Sequence, residues 1–135
     1  MKNFIYYWLP VFVWAGVIFY FSSLARIPPI IMELIPKTYI CHIIVYAILS
    51  ILLLRASINS KNTTFRENAI YLTILIAILY GITDEIHQQF VPGRVFSHLD
   101  VIANSVGSVV ILTKNFFVRG KLYLKRQLKT RSLPE

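Results

Sequence analysis

A chain of 135 residues carries 14 Lys and Arg against 6 Asp and Glu, a formal charge of +8, and is 56% hydrophobic but only 15% charged. Soluble domains average about 25% charged residues, so this chain is unusually apolar; it is too apolar to be disordered and too short for more than one ordinary domain. A single cysteine, Cys41, excludes an intrachain disulfide and any CxxC metal or redox motif.

No charge falls between Lys2 and Arg26, a run of 23 residues from Asn3 to Ala25. A spanning helix needs about 20. Lys2 and the small residues Ser22-Ser23-Leu24-Ala25 also fit a cleaved signal peptide, but the apolar run is too long for an ordinary signal core, so an anchor is expected. Pro28, Pro29 and Pro36 punctuate the next loop, and a second uncharged run follows at 38–54, interrupted only by His42. Ser57 to Thr64 reads as a polar loop. A third run covers 68–83, Pro92-Gly93 marks a turn, and a fourth covers 101–113. At 1.5 Å per residue these last two fall short of a roughly 30 Å hydrocarbon core. To span it, the third must take in Asp84, Glu85 and His87, and the fourth Asp100 and His98. There is no internal repeat and no alternation of the kind a barrel needs.

The expected architecture is an all-α membrane protein, an antiparallel bundle of four transmembrane helices near 4–24, 38–56, 68–90 and 97–114. The domain boundary is placed at 1–114 for the bundle and 115–135 for a basic tail. With the N-terminus inside, the inner segments hold 11 Lys and Arg and the outer ones 3, Arg26, Lys37 and Arg94. That bias predicts an N-in/C-in orientation. The tail, with Phe116, Phe117, Leu122, Leu124 and Leu128 among its basic residues, reads as a cytoplasmic segment resting on anionic lipid; membrane lipids, and no nucleic acid, are the expected partners.

This topology sends the polar residues to one end. Ser22 and Ser23 close the first span there, His42 and Tyr46 open the second, Asp84, Glu85, His87 and Gln88 close the third, and Arg94, Ser97, Asp100 and Asn104 lead into the fourth. Ionisable residues in spans are costly and mark function by default. Asp84 with His87 or Gln88, Asp100 with Asn104, and His42 with Tyr46 are spaced to share helix faces. Gly81 and Gly107 allow close helix approach. Each group also has a structural explanation. Asp84 with Arg94 makes a plausible ion pair, Asp100 suits a helix N-terminus, Ser97 suits its cap, and His42 and Tyr46 suit interhelical hydrogen bonds. The convergence at one depth is what favours a site. Histidines and carboxylates can bind a divalent metal, but there is no HExxH and Asp84-Glu85-Ile86-His87 is not a strong metal spacing, so neither metal nor cofactor is expected. No nucleophile or glycine-rich phosphate loop stands out.

The segment Tyr80-Gly-Ile-Thr-Asp-Glu-Ile-His-Gln-Gln-Phe-Val-Pro-Gly-Arg94, followed by Asp100-Val-Ile-Ala-Asn104 and Gly107, resembles the VanZ-like family of small bacterial membrane proteins. Ser22-Ser23 and His42 to Tyr46 resemble its weaker motifs, and the resemblance runs from about 15 to 112. The acidic residue often found with a lysine before the family's second span is absent, since Pro36-Lys37-Thr38 keeps only the lysine. The resemblance implies a multi-pass protein of the bacterial cytoplasmic membrane and a cell-envelope role; the family is named for a protein associated with teicoplanin resistance. The positions matching its motifs are Ser23, His42, Tyr46, Asp84, Glu85, His87, Gln88, Arg94, Asp100 and Asn104. The expected function is non-enzymatic: an outward-facing polar pocket binds a lipid headgroup, a cell-wall precursor or a glycopeptide. The alternative is an enzyme acting on a lipid-linked substrate, with Asp84 or Glu85 as base, His87 or His42 as acid and Arg94 as anion clamp. A small transporter ranks last, because the first span carries no carboxylate.

Overall fold

The computed structural model describes residues 2–25 and 38–110. The prolines of the first loop, Arg26, Lys37, residues 111–114 of the fourth expected span and the basic tail at 115–135 lie outside the described residues. Within them every regular element is a helix, with no strand. The helices are α1 (Lys2–Ser22), α2 (Thr38–Ile58), a short α3 (Thr63–Glu67), α4 (Ala69–Gln88) and α5 (98–110). Three of them, α1, α2 and α4, are long and apolar enough to cross a membrane. The described part of α5 would rise only about 20 Å.

The polar loop after α2 is shorter than its composition suggests. Asn62 caps a helical turn, its side chain accepting from the Phe65 N–H at 3.3 Å. With those backbone groups satisfied, Thr63 to Glu67 coil before α4 begins. Phe65 then meets Trp8 edge to face, with ring centroids 5.7 Å apart.

α1 and α2 run in opposite directions. The Arg55 guanidinium lies 4.9 Å from the Tyr6 ring centroid and 5.0 Å from that of Tyr7, while Trp14 donates its indole N–H to the Val45 carbonyl at 3.0 Å. Tyr80 of α4 donates to the Ala15 carbonyl at 2.6 Å. α2 is the central helix: 44% of its apolar window is buried, against 11% for α1. Phe4, Phe12, Phe19 and Tyr20 of α1 are left exposed, which in lipid carries no penalty.

The buried face of α4 explains the packing. Ala69, Thr73, Ala77 and Gly81 recur every fourth residue, then Asp84, Glu85 and Gln88 complete the same stripe. Small residues let helices approach closely where lipid supplies no hydrophobic drive for association. A Cβ on Gly81 would sit 3.1 Å from Asn104 Cβ and 3.2 Å from Tyr46 Cε1. Gly107 of α5 is tighter still, because a Cβ there would run into the Ile43 carbonyl and lie 2.9 Å from Ile43 Cα. Backbone cannot rotate out of the way as a side chain can.

Gly107→Ala is therefore expected to destabilise the protein by about 1–3 kcal/mol, the usual cost of overpacking. Gly16→Ala, where nothing lies within 4 Å of the added methyl, is expected to leave stability nearly unchanged. Unfolding by SDS titration, followed by circular dichroism, compares the two.

Candidate functional site

The C-terminal ends of α1 and α4 and the N-terminal ends of α2 and α5 meet, and the polar residues sort into three linked groups. The first joins α2, α4 and α5. His42 Nδ1 lies 2.9 Å from Asn104 Oδ1 and its Nε2 lies 3.9 Å from Asp100 Oδ2. Glu85 is fully buried, and one ligand atom each from His42, Glu85 and Asp100 fit within 4.8 Å of one another. These residues are far apart in sequence, so no local spacing advertises the cluster. The sequence places all three at the same polar end, but the only local metal spacing it offers is Asp84-Glu85-Ile86-His87.

Ser97 caps α5, its hydroxyl accepting from the Asp100 N–H at 3.2 Å. In a capping box the acid three residues on would reach back to the cap's own N–H. Here that N–H points to Glu85 Oε2 at 3.4 Å, so a carboxylate from α4 holds the position and Asp100 is free to face His42.

The second group centres on Gln88. Its amide donates to Glu85 Oε1 at 2.9 Å and to Asp84 Oδ2 at 3.3 Å, and its Oε1 accepts from Arg94 at 2.9 Å. Arg94 also donates to the Leu24 carbonyl at 3.2 Å and the Phe21 carbonyl at 3.1 Å, at the end of α1. The ion pair considered between Asp84 and Arg94 does not form: the guanidinium instead donates to two backbone carbonyls, Phe21 near the end of α1 and Leu24 just beyond it. Asp84 Oδ1 and the Tyr46 hydroxyl are buried without hydrogen bonds, and the Ser22 hydroxyl is turned to the Phe19 carbonyl at 3.0 Å.

The third group is peripheral. His87 stacks on Phe19 at 4.6 Å and places Nε2 3.0 Å from the Ser23 hydroxyl. A serine beside a histidine suggests a nucleophile and its base. However, Ser23 Oγ lies 2.7 Å from the Phe19 carbonyl, which can only accept, so the hydroxyl proton is committed there. His87 then donates to Ser23 Oγ, and the pair ties α4 to α1.

A cavity of about 260 Å³ opens between α1, α2 and α4. Trp14, Ile18, Phe21 and Val45 form much of its wall, and Ser22, His42, Asp84, Gln88 and Arg94 gather at one end. Cys41 also lines it. Ser22 faces this space in place of Ser23. The spacing Trp14, Ile18, Ser22 carries that signal, because every fourth residue returns to one helix face.

Long apolar helices that gather their carboxylates, histidines and an arginine at one end define a helical protein of membrane-spanning type. The chain belongs to the VanZ/LLP1 family, whose model matches residues 6–113. Comparison with curated proteins found no match, and neither did comparison with solved structures.

Arg94→Lys is expected to lower stability by about 1.5–3 kcal/mol, because a single ammonium cannot reach the Phe21 and Leu24 carbonyls and Gln88 in the guanidinium's fork geometry. His87→Ala removes one exposed hydrogen bond and an exposed ring stack on Phe19 and is expected to cost less than half as much. SDS titration of both variants in one detergent ranks them.

Proposed function

We propose that the chain is a four-span protein of the bacterial cytoplasmic membrane, an antiparallel bundle with both termini inside, that binds an amphiphile at its outer face. The observation that carries this reading is the shape of the cavity. Its exposed wall, with Trp14, Ile18, Phe21 and Val45, is almost entirely apolar and suits an acyl or prenyl chain, and Ser22, His42, Asp84, Gln88 and Arg94 border it where a polar headgroup would sit. Binding sites of this kind place a few polar groups at one end of an apolar cleft. Three of Arg94's five donors are engaged, so the remaining two are available to a phosphate or carboxylate. Lys and Arg counts favour placing this end outside. The ligand classes that fit are a lipid headgroup, a lipid-linked cell-wall precursor and an acylated glycopeptide. Through the last, the protein would lower teicoplanin susceptibility while leaving vancomycin, which lacks the acyl chain, little affected. No step of acid–base catalysis is assigned: His87 is held by Ser23 and Phe19, and His42 by Asn104 and Asp100.

Cys41, the chain's single cysteine, reports on this cavity. Its alkylation by a membrane-soluble maleimide is expected to slow at least fivefold with teicoplanin, anionic phospholipid or a polyprenyl-linked precursor, and to be unaffected by vancomycin. An unchanged rate with all of them removes the reading. Orientation is checked separately in a Cys41→Ser background. An impermeant maleimide applied to whole cells should label Ser23→Cys and spare Ser60→Cys, which becomes reactive only after lysis.

A further inference from the structure

We infer that His42, Glu85 and Asp100 form a binding site for a divalent transition-metal ion of the zinc type, with Asn104 as the residue that orients the histidine. Each ligand comes from a different helix, α2, α4 and α5, and their ligating atoms converge within 4.8 Å.

Hydrogen bonding and charge each support the site independently. Asn104 Oδ1 can only accept, so the His42 Nδ1 beside it at 2.9 Å carries the proton. In the neutral ring, Nε2 then presents its lone pair to Asp100 Oδ2 at 3.9 Å. That separation is too long for a hydrogen bond, and two lone pairs facing each other repel. With these side chains drawn slightly closer together, an ion about 2.0–2.2 Å from each turns the repulsion into coordination. Metal-bound histidines almost always donate their other ring nitrogen's hydrogen to a fixed acceptor, which is the part Asn104 plays.

The charge balance points the same way. Glu85 is fully buried and Asp84 is 5% exposed, with Asp100 beside them. Among the described residues no Lys or Arg pairs with any of the three, because Arg94 is engaged with Gln88 and the Phe21 and Leu24 carbonyls. A buried carboxyl group without a cationic partner must be neutralised, by a proton or by a bound cation. A divalent ion on two carboxylates and a neutral imidazole makes a site of zero net charge, and Gln88 steadies Glu85 by donating to Oε1 at 2.9 Å. One nitrogen and two carboxylate oxygens select zinc or manganese over magnesium and calcium, which favour oxygen alone. His42 and Asp100 are partly exposed, leaving an entry path and a coordination position for water or a ligand's phosphate.

The inference does not require the amphiphile reading; His42 is the residue they share. The test uses the full chain in detergent, freed of affinity tag, stripped with EDTA and dialysed against Zn2+, Mn2+, Mg2+ or Ca2+, with bound metal measured by mass spectrometry. About one Zn2+ per chain is expected, with little Mg2+ or Ca2+. Glu85→Gln and Asp100→Asn are expected to weaken Zn2+ binding at least tenfold, and Asn104→Ala about 10–100-fold, the range for an orienting residue. His87→Gln should bind as wild type does. Co2+ added to the stripped wild-type protein should give visible d–d absorption that Zn2+ abolishes, a readout independent of whether any variant folds. Wild-type protein that binds no Zn2+, or binding that survives Glu85→Gln and Asp100→Asn together, overturns the site. Metal binding without Cys41 protection would sink the amphiphile reading alone, and protection without metal would sink this one alone.

Discussion

Everything at the polar end of this protein depends on how closely three helices approach one another. Lipid tails are as apolar as leucine, so burial of apolar surface contributes little to helix association in a bilayer, and packing and polar contacts must supply it. α4 meets that constraint with Ala69, Thr73, Ala77 and Gly81 in one stripe, and α5 meets it with Gly107 against the Ile43 backbone. Without a side chain at 107, α5 settles low enough for Asn104 to reach His42 and for Asp100 to face it. The glycines and the titratable groups are thus one arrangement: the first set the distance across which the second interact.

The site also shows how helix ends are satisfied when they are brought together. α1 ends without a glycine cap, and Arg94, seventy or more residues away in sequence, donates to the Phe21 carbonyl near its end and to the Leu24 carbonyl just beyond it. α5 begins with a serine cap whose own N–H is met by Glu85 from α4. In both cases the partner is a charged side chain from another element, so fixing a helix end also fixes the position of a functional candidate. A variant at Arg94 or Glu85 therefore disturbs architecture and chemistry together, and activity assays on such variants need a stability measurement beside them.

The family model matches residues 6–113, a span that includes the Asp-Glu-Ile-His-Gln block and the Pro-Gly-Arg that follows it. Within that block the residues do different jobs. Asp84 faces the cavity proposed for an amphiphile, Glu85 faces the cluster proposed for a metal, Gln88 joins the two, and His87 binds α1. Adjacent residues on a helix point about 100° apart, so one short motif can serve three neighbours at once.

Composition and the distribution of charge along the chain were enough to read an all-helical membrane-type protein and the extent of its three longest apolar helices. The convergence of polar residues was also legible, since runs of uncharged residues must alternate in direction and carry their polar ends to common faces. The close-approach glycines, the serine cap of α5 and the family motif could be read locally. The partners could not. The choice of Gln88 and backbone carbonyls over Asp84 as partners for Arg94, the turning of His87 toward Ser23, and the meeting of His42, Glu85 and Asp100 all depend on helix rotation and depth. Sequence periodicity states which residues share a face, but the neighbour that face meets is set by where small side chains let the backbones touch. That contact is a property of the packed helices together, and no single segment encodes it.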